Sequence, residues 1–370
     1  MATKPSKPSP DFPLFAHATG KWAKKIKGKM QYFGRWEDPD GALKEFEAFQ
    51  ANSKQLPPVA TGQATIEHCC NAFLTAKQLA VEAGDLSRHS FSDYHRTCKL
   101  FIEHVGKGRA AEAITPEDFR AYRAKIAKTR SSISLGNEIT RVRVLYKWLW
   151  DERMLPAPQH FGPDFKRPSK RLLRRERRQA GKKLFTVDQI HLLLDECGVH
   201  LRAMIMLGIN CGFGNTDCAR LPLSAVDLEK AIIDYPRPKT EVDRICPLWP
   251  ETVEALRSSL KRRYKPKNEK ATNFFVRPDG RTWEQEERPI TKQFNQALKR
   301  AGMKAGGFYW LRHTFETIAG GTDRQVVVNA IMGHADQSMA GNYREEIELA
   351  RLQFVVNHVR DWLFADQKNG

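Results

Sequence analysis

No apolar run in these 370 residues reaches the ~18 that a membrane-spanning helix requires. The opening residues, MATKPSKPSP, lack the apolar core of a secretory signal. A cytoplasmic protein with a disordered leader over 1–11 is therefore expected. The seven cysteines (Cys69, Cys70, Cys98, Cys197, Cys211, Cys218, Cys246) form no CxxC pair and no Cys/His cluster with zinc spacing. They are expected to be buried free thiols, with no disulfide and no structural metal. A P-loop and acidic metal-binding clusters are also missing, so no cofactor is expected. Acid is scarce: 43 Asp and Glu stand against 61 Lys and Arg, a net charge of +18. Such an excess suits a polyanionic partner whose binding releases counterions.

What the chain does have is concentrated in FYWLRHTFETIAGGTDRQVVVNAIMGHADQSMAGNY, Phe308 to Tyr343. Tyr309-Trp310-Leu311-Arg312 opens a helix-like run, Gly333-His334 closes a second helix, and Tyr343 follows nine residues later. A guanidinium can hold two phosphate oxygens, an imidazole exchanges protons near neutral pH, and a phenol can be a covalent nucleophile. Arg312, His334 and Tyr343 together suit phosphodiester chemistry. This ordered set resembles the catalytic domain of the tyrosine recombinases, the lambda-integrase-like phage integrase family. Leu311-Arg312-His313-Thr314-Phe315, Met332-Gly333-His334 and Tyr343 fall into the family's HxLR/HTxF, LGH and nucleophile pattern.

The resemblance implies roles. Arg312 would hold the scissile phosphate, although a structural pairing with Asp217 is the alternative. His334 would donate to a phosphate oxygen and assist deprotonation of Tyr343. Lys239, between two strand-like runs in AIIDYPRPKTEVDRICPL, matches the hairpin lysine that protonates the departing 5′ oxygen. His313 would steady its helix through hydrogen bonds. Two positions depart from the pattern. Gly212-Phe213-Gly214 carries Gly214 where the first catalytic arginine belongs, with Asp217 in place as the acid three residues on. Tyr309 occupies the usual His position and can donate a hydrogen bond but cannot act as a base near neutral pH. Arg220, Arg237 and Arg244 are the nearest cations that could substitute for the lost arginine.

Ahead of this domain (184–370), residues 12–56 read as three small strands turning at Thr19-Gly20 and Lys27-Gly28, then a helix with Ala42, Phe46 and Phe49 on one face. Lys24, Lys25 and Lys27 are interleaved with aromatics, which resembles an arm-type DNA-binding module. Residues 63–160 read as four helices, about 65–83, 90–105, from Thr115-Pro116, and 135–154. The first has Ile66, Cys69, Cys70, Phe73 and Leu79 inward, and the last carries Arg141, Arg143 and Lys147. By its position this group resembles the core-binding domain. A basic linker, 161–183, includes Lys170, Arg171, Arg174 and Arg175 and would lie against the phosphate backbone. The final helix, Ile347 to Phe364, spaces Leu352, Val355, Val356, Val359, Trp362 and Leu363 for docking on a neighbouring protomer or on its own domain.

The expected fold class is mainly α with small β-sheets: an arm module, a helical core-binding domain and an α+β catalytic domain. The expected function is a site-specific recombinase acting on double-stranded DNA, without a membrane role, as a tetramer on paired sites. The alternative is a DNA-binding protein that keeps this fold but cuts poorly, as Gly214 and Tyr309 would suggest.

Overall fold

Alternating side chains and tight turns build the N-terminal sheet. In the computed structural model, which describes all residues except 1–4, 10, 27–28, 55–63, 284–289, 336–346 and 366–370, β1 (Phe15–His17), β2 (Lys21–Ile26) and β3 (Lys29–Arg35) pair antiparallel in that order. Helix α1 (Pro39–Lys54) packs against β3, and Trp22, Phe33, Ala42 and Phe46 close a small core. The Lys24 ammonium sits 4.5 Å from the Phe46 ring centroid, so this lysine faces the covering helix rather than forming part of a free cationic face. Lys25 is exposed. Lys27 lies outside the described residues.

Four capped helices follow: α2 (Ile66–Glu82), α3 (Arg88–Val105), α4 (Pro116–Ala127) and α5 (Ser132–Asp151). Each starts after a Ser or Thr whose hydroxyl accepts the backbone N–H three residues on, satisfying a donor the helix cannot use. At Thr115 the Asp118 carboxylate returns the bond at 2.8 Å and takes both Arg109 donors at 2.6 and 2.7 Å. The apolar periodicity gathers Phe73, Phe101, Phe119, Tyr122, Tyr146 and Phe165 into one aromatic core. Leu79, expected inward, is 61% exposed, because six residues at 3.6 per turn carry it about 120° away from Phe73. The polar face of α5 is tied down. Arg141 pairs with Asp93, Arg143 donates to the Phe165 carbonyl at 2.6 Å, and Lys147 meets Asp151 at 2.8 Å.

The basic stretch expected as a linker is helical over Lys170–Gln179, α6. Leu, Lys, Arg and Glu are good helix formers, and the Ser169 hydroxyl accepts the Leu172 N–H at 3.2 Å. Lys170, Arg171, Arg174 and Arg175 are exposed, and Glu176 bonds the Ser132 hydroxyl. Contacts divide the chain into two units, 1–176 and 177–370.

The second unit starts from a Thr186/Gln189 capping box into α7 (Val187–Asp195). Helix α8 (Val199–Asn210) is apolar almost all round and therefore central. The short α9 (Asn215–Arg220) leads to an antiparallel sheet of β4 (Val226–Asp227), β5 (Ile232–Asp234) and β6 (Ile245–Pro247), of which β4 was not expected. Helices α10 (Pro250–Lys261), α11 (Thr291–Arg300), α12 (Tyr309–Gly320), α13 (Gln325–Met332) and α14 (Leu349–Leu363) follow. The Asn210 side chain bonds both the Pro247 carbonyl (3.0 Å) and the Trp249 N–H (2.9 Å), joining α8 to β6.

Of the two dockings open to α14, the apolar stripe takes the one on its own domain. Leu352, Val355, Val356, Val359 and Leu363 are buried against α8, α12, α13 and β6 of their own unit, and the Trp249 indole donates to the Val356 carbonyl at 2.9 Å. A complementary groove within the same domain takes up that stripe. Among the described residues, no helix is long and apolar enough to cross a membrane.

Candidate active site

Arg312 sits in the first turn of α12, where Leu311 and Phe315 anchor the helix in the core and leave only 1% of the arginine exposed. Its guanidinium spans three elements. It donates to the Gly212 carbonyl at 2.5 Å and the Met332 carbonyl at 2.8 Å, and lies 2.8 Å from His334 Nε2. Gly212 can present that carbonyl because φ is +63°, and a Cβ there would stand 3.0 Å from the Phe315 ring. Gly333 ends α13 in the left-handed conformation (φ +62°), which turns the chain so that His334 faces Arg312.

A guanidinium has no lone pair, so His334 Nε2 must be the acceptor and the ring proton sits on Nδ1. Nδ1 faces Asn329 Oδ1 at 3.4 Å, and Gln325 holds that amide oxygen at 3.0 Å. Burial first, then the charges of Arg312 and Arg237, push the His334 pKa below 6.5, with Glu316 opposing. His334 is therefore neutral at physiological pH. An imidazole titration followed by NMR is expected to show a midpoint below 6.5. The stability contributed by the neutral ring is complete above the unfolded value of ~6.5 and is lost as pH falls through the folded one. A midpoint above 6.5 would contradict the packing of both guanidiniums around the ring.

The hairpin between β5 and β6 brings Lys239 to this place. The Arg237 carbonyl accepts the N–H groups of Thr240 (3.1 Å) and Glu241 (2.8 Å), closing the tip. Thr240 Oγ1 and Arg237 Nη1 both donate to the Gly333 carbonyl, at 3.0 and 3.3 Å. Lys239 is exposed at that tip, free to reach outward.

Gly214 begins α9, and its N–H donates to the buried Asp217 carboxylate at 2.7 Å. Asp217 does not pair with Arg312. Its other oxygen takes Arg244 Nη2 at 3.2 Å, while Arg244 stacks 4.1 Å over Phe213 and donates to the Tyr235 carbonyl at 3.0 Å. A Cβ on Gly214 would lie 3.6 Å from the half-exposed Tyr309 ring, so the two positions read as departures in the sequence are neighbours in space. His313 sets its ring edge-on against Tyr309 at 5.1 Å. Among the described residues this ring contact, rather than a hydrogen bond, holds His313. Tyr343 lies outside the described residues. Asn329 went unnoticed in the sequence, where its only signal was an amide inside the apolar run QVVVNAIM.

The second unit thus brings a buried arginine, a neutral histidine and a hairpin lysine to one place, a set suited to phosphodiester chemistry. Residues 183–348 match the phage integrase family, and residues 77–153 match the phage integrase N-terminal SAM-like domain. The chain belongs to that family, the tyrosine recombinases, and is a site-specific recombinase. No curated protein sequence matches it. Among solved structures it is similar to a lambda integrase dimer bound to a COC′ core site, with 15% identity, a TM-score of 0.58, and coverage of 93% of this chain and 99% of that one. A lambda integrase tetramer bound to a Holliday junction gives 14%, 0.58, 93% and 100%. The Tn1549 transposon integrase in complex with a circular intermediate DNA gives 15%, 0.56, 79% and 99%. At these identities the likeness is one of fold.

Proposed function

We propose that this recombinase cuts one strand of duplex DNA with Tyr343 and rejoins it through a 3′-phosphotyrosyl intermediate. The Tyr343 oxygen attacks the scissile phosphorus, the bond to the 5′ oxygen breaks, and Lys239 supplies the proton that oxygen needs. Once Arg312 turns the donor now on His334 Nε2 toward the phosphate, that nitrogen is free to accept the tyrosine proton. Arg312 holds the non-bridging oxygens, and Tyr309 donates a further hydrogen bond from its half-exposed ring. The observation that carries the reading is the 2.8 Å approach of Arg312 to His334 beside the hairpin that bears Lys239. The bond energy is kept in the phosphotyrosine, so rejoining requires no nucleotide.

Duplex DNA would be held by Lys25, Lys27 and the exposed basic face of α6, Lys170, Arg171, Arg174 and Arg175. Lys24, Arg141, Arg143 and Lys147, already engaged within the protein, would contribute less. The likeness to lambda integrase bound as a dimer and as a tetramer supports assembly on paired sites. The contact would lie on surfaces other than the buried stripe of α14. A DNA substrate would put the protein to work at the nucleoid.

The test is a nicked suicide duplex on which cleavage traps the covalent complex. An adduct that survives SDS is expected with the wild-type protein and is expected to vanish in Tyr343→Phe while duplex binding remains. Binding with no adduct from the wild type would favour the alternative, a DNA binder that no longer cuts.

A further inference from the structure

Resting on the reading that this site cuts DNA, we propose that Arg237 supplies the second guanidinium to the scissile phosphate, in place of the one missing at Gly214. Three cations lie near enough in sequence to be considered. Arg244 has a fully buried side chain, clamped between Asp217, the Tyr235 carbonyl and the Phe213 ring. It neutralises Asp217 and cannot reach an external ligand. Arg220 ends α9, five residues beyond the start of that helix, with its side chain outward.

Arg237 is placed differently. It is 9% exposed, and its aliphatic stem packs against Gly333, the residue before His334. Its charge is the largest one bearing on Arg312 and, after Arg312 itself, on His334. One N–H reaches the Gly333 carbonyl. Its remaining donors take no acceptor among the described residues. Neither Arg237 nor Arg312 has a carboxylate partner there, since Asp217 is occupied by Arg244. Two buried guanidiniums without a counter-ion are costly to hold, and a phosphate with two non-bridging oxygens answers both. The mount is also rigid. Arg237 lies between Pro236 and Pro238, which restrict its backbone, and its own N–H and carbonyl are tied into the hairpin neck through Val242, Thr240 and Glu241.

The test uses the full-length protein and a duplex that it selects from a random pool. Each phosphate in turn is replaced by a neutral methylphosphonate, and binding and adduct formation are measured for the wild type, Arg237→Gln and Arg237→Lys. Wild-type binding is expected to weaken about tenfold at one phosphate, and Arg237→Gln is expected to reduce that sensitivity to the share left to Arg312 while keeping the wild-type melting temperature within a few degrees. Adduct formation should fall by ~10²–10³ in Arg237→Gln, the usual loss for one preorganised donor, less in Arg237→Lys, and recover in part in Gly214→Arg/Arg237→Gln. Losses from variant and methylphosphonate that multiply would overturn the proposal, because a structural residue would act independently of that oxygen. Unchanged cleavage in Arg237→Gln would also overturn it. If the wild type makes no adduct, the cleavage reading fails, while the binding scan still decides whether Arg237 touches a phosphate.

Discussion

Arg312→Ala is expected to reduce adduct formation by at least ~10²–10³ and to destabilise the second unit as well. Two buried carbonyls, those of Gly212 and Met332, depend on this side chain for a donor. Leaving a buried acceptor unpaired costs about 1–3 kcal/mol each. Relief of the repulsion from Arg237 offsets part of that loss, since burial and Arg237 already hold the Arg312 pKa below its usual value. The carbonyl term is expected to win, because it comprises two lost bonds against one relieved pair. Arg312→Lys keeps the charge but cannot span both carbonyls, and should fall between. His334 should titrate nearer 6.5 in Arg312→Ala, having lost one of its two cationic neighbours. Thermal melting and the suicide-duplex assay measure these effects. An unchanged melting temperature together with cleavage within tenfold of wild type would refute the role given to Arg312.

Asp217→Ala is expected to be strongly destabilising while leaving Arg312, Arg237, His334 and Lys239 in place. It strips Arg244 of its counter-charge in a fully buried setting and leaves the Gly214 N–H without its acceptor. Breaking a buried ion pair by removing one partner costs about 3–5 kcal/mol, or a fall of roughly 10 °C in Tm for a unit of this size. Arg244 Nη1 already lacks a partner, so the guanidinium has nothing to turn to. The double variant Asp217→Ala/Arg244→Met should recover much of the loss, since it removes the stranded charge. A double variant no more stable than the single would show that the pair is not what Asp217 provides.

The helix caps were legible in the sequence because each is a local pattern: Thr115 with Asp118, Thr186 with Gln189, and Gly333 as the left-handed stop. The clustering of Arg312, His334 and Lys239 was legible through the family pattern. Pairing was not. Which arginine would take Asp217 depends on how the hairpin folds back onto α9, and nothing between Asp217 and Arg244 states that in one dimension. The α14 stripe was equally ambiguous, because helical spacing of Leu352, Val355 and Val359 shows that a face is buried without naming what buries it. For the basic run, charge density suggested a linker, whereas the helix propensity of Leu, Arg and Glu prevailed over Lys170–Gln179.

A single carbonyl, that of Gly333, receives both Thr240 and Arg237. The hairpin tip and the turn that carries His334 are thereby latched together. Any movement that lifts the tip would carry away Lys239 and Arg237, the proposed leaving-group acid and second phosphate grip, in the same stroke, leaving Arg312 alone in the core. With those proposed roles, readiness to cut would be all-or-none, decided by whether one loop is seated.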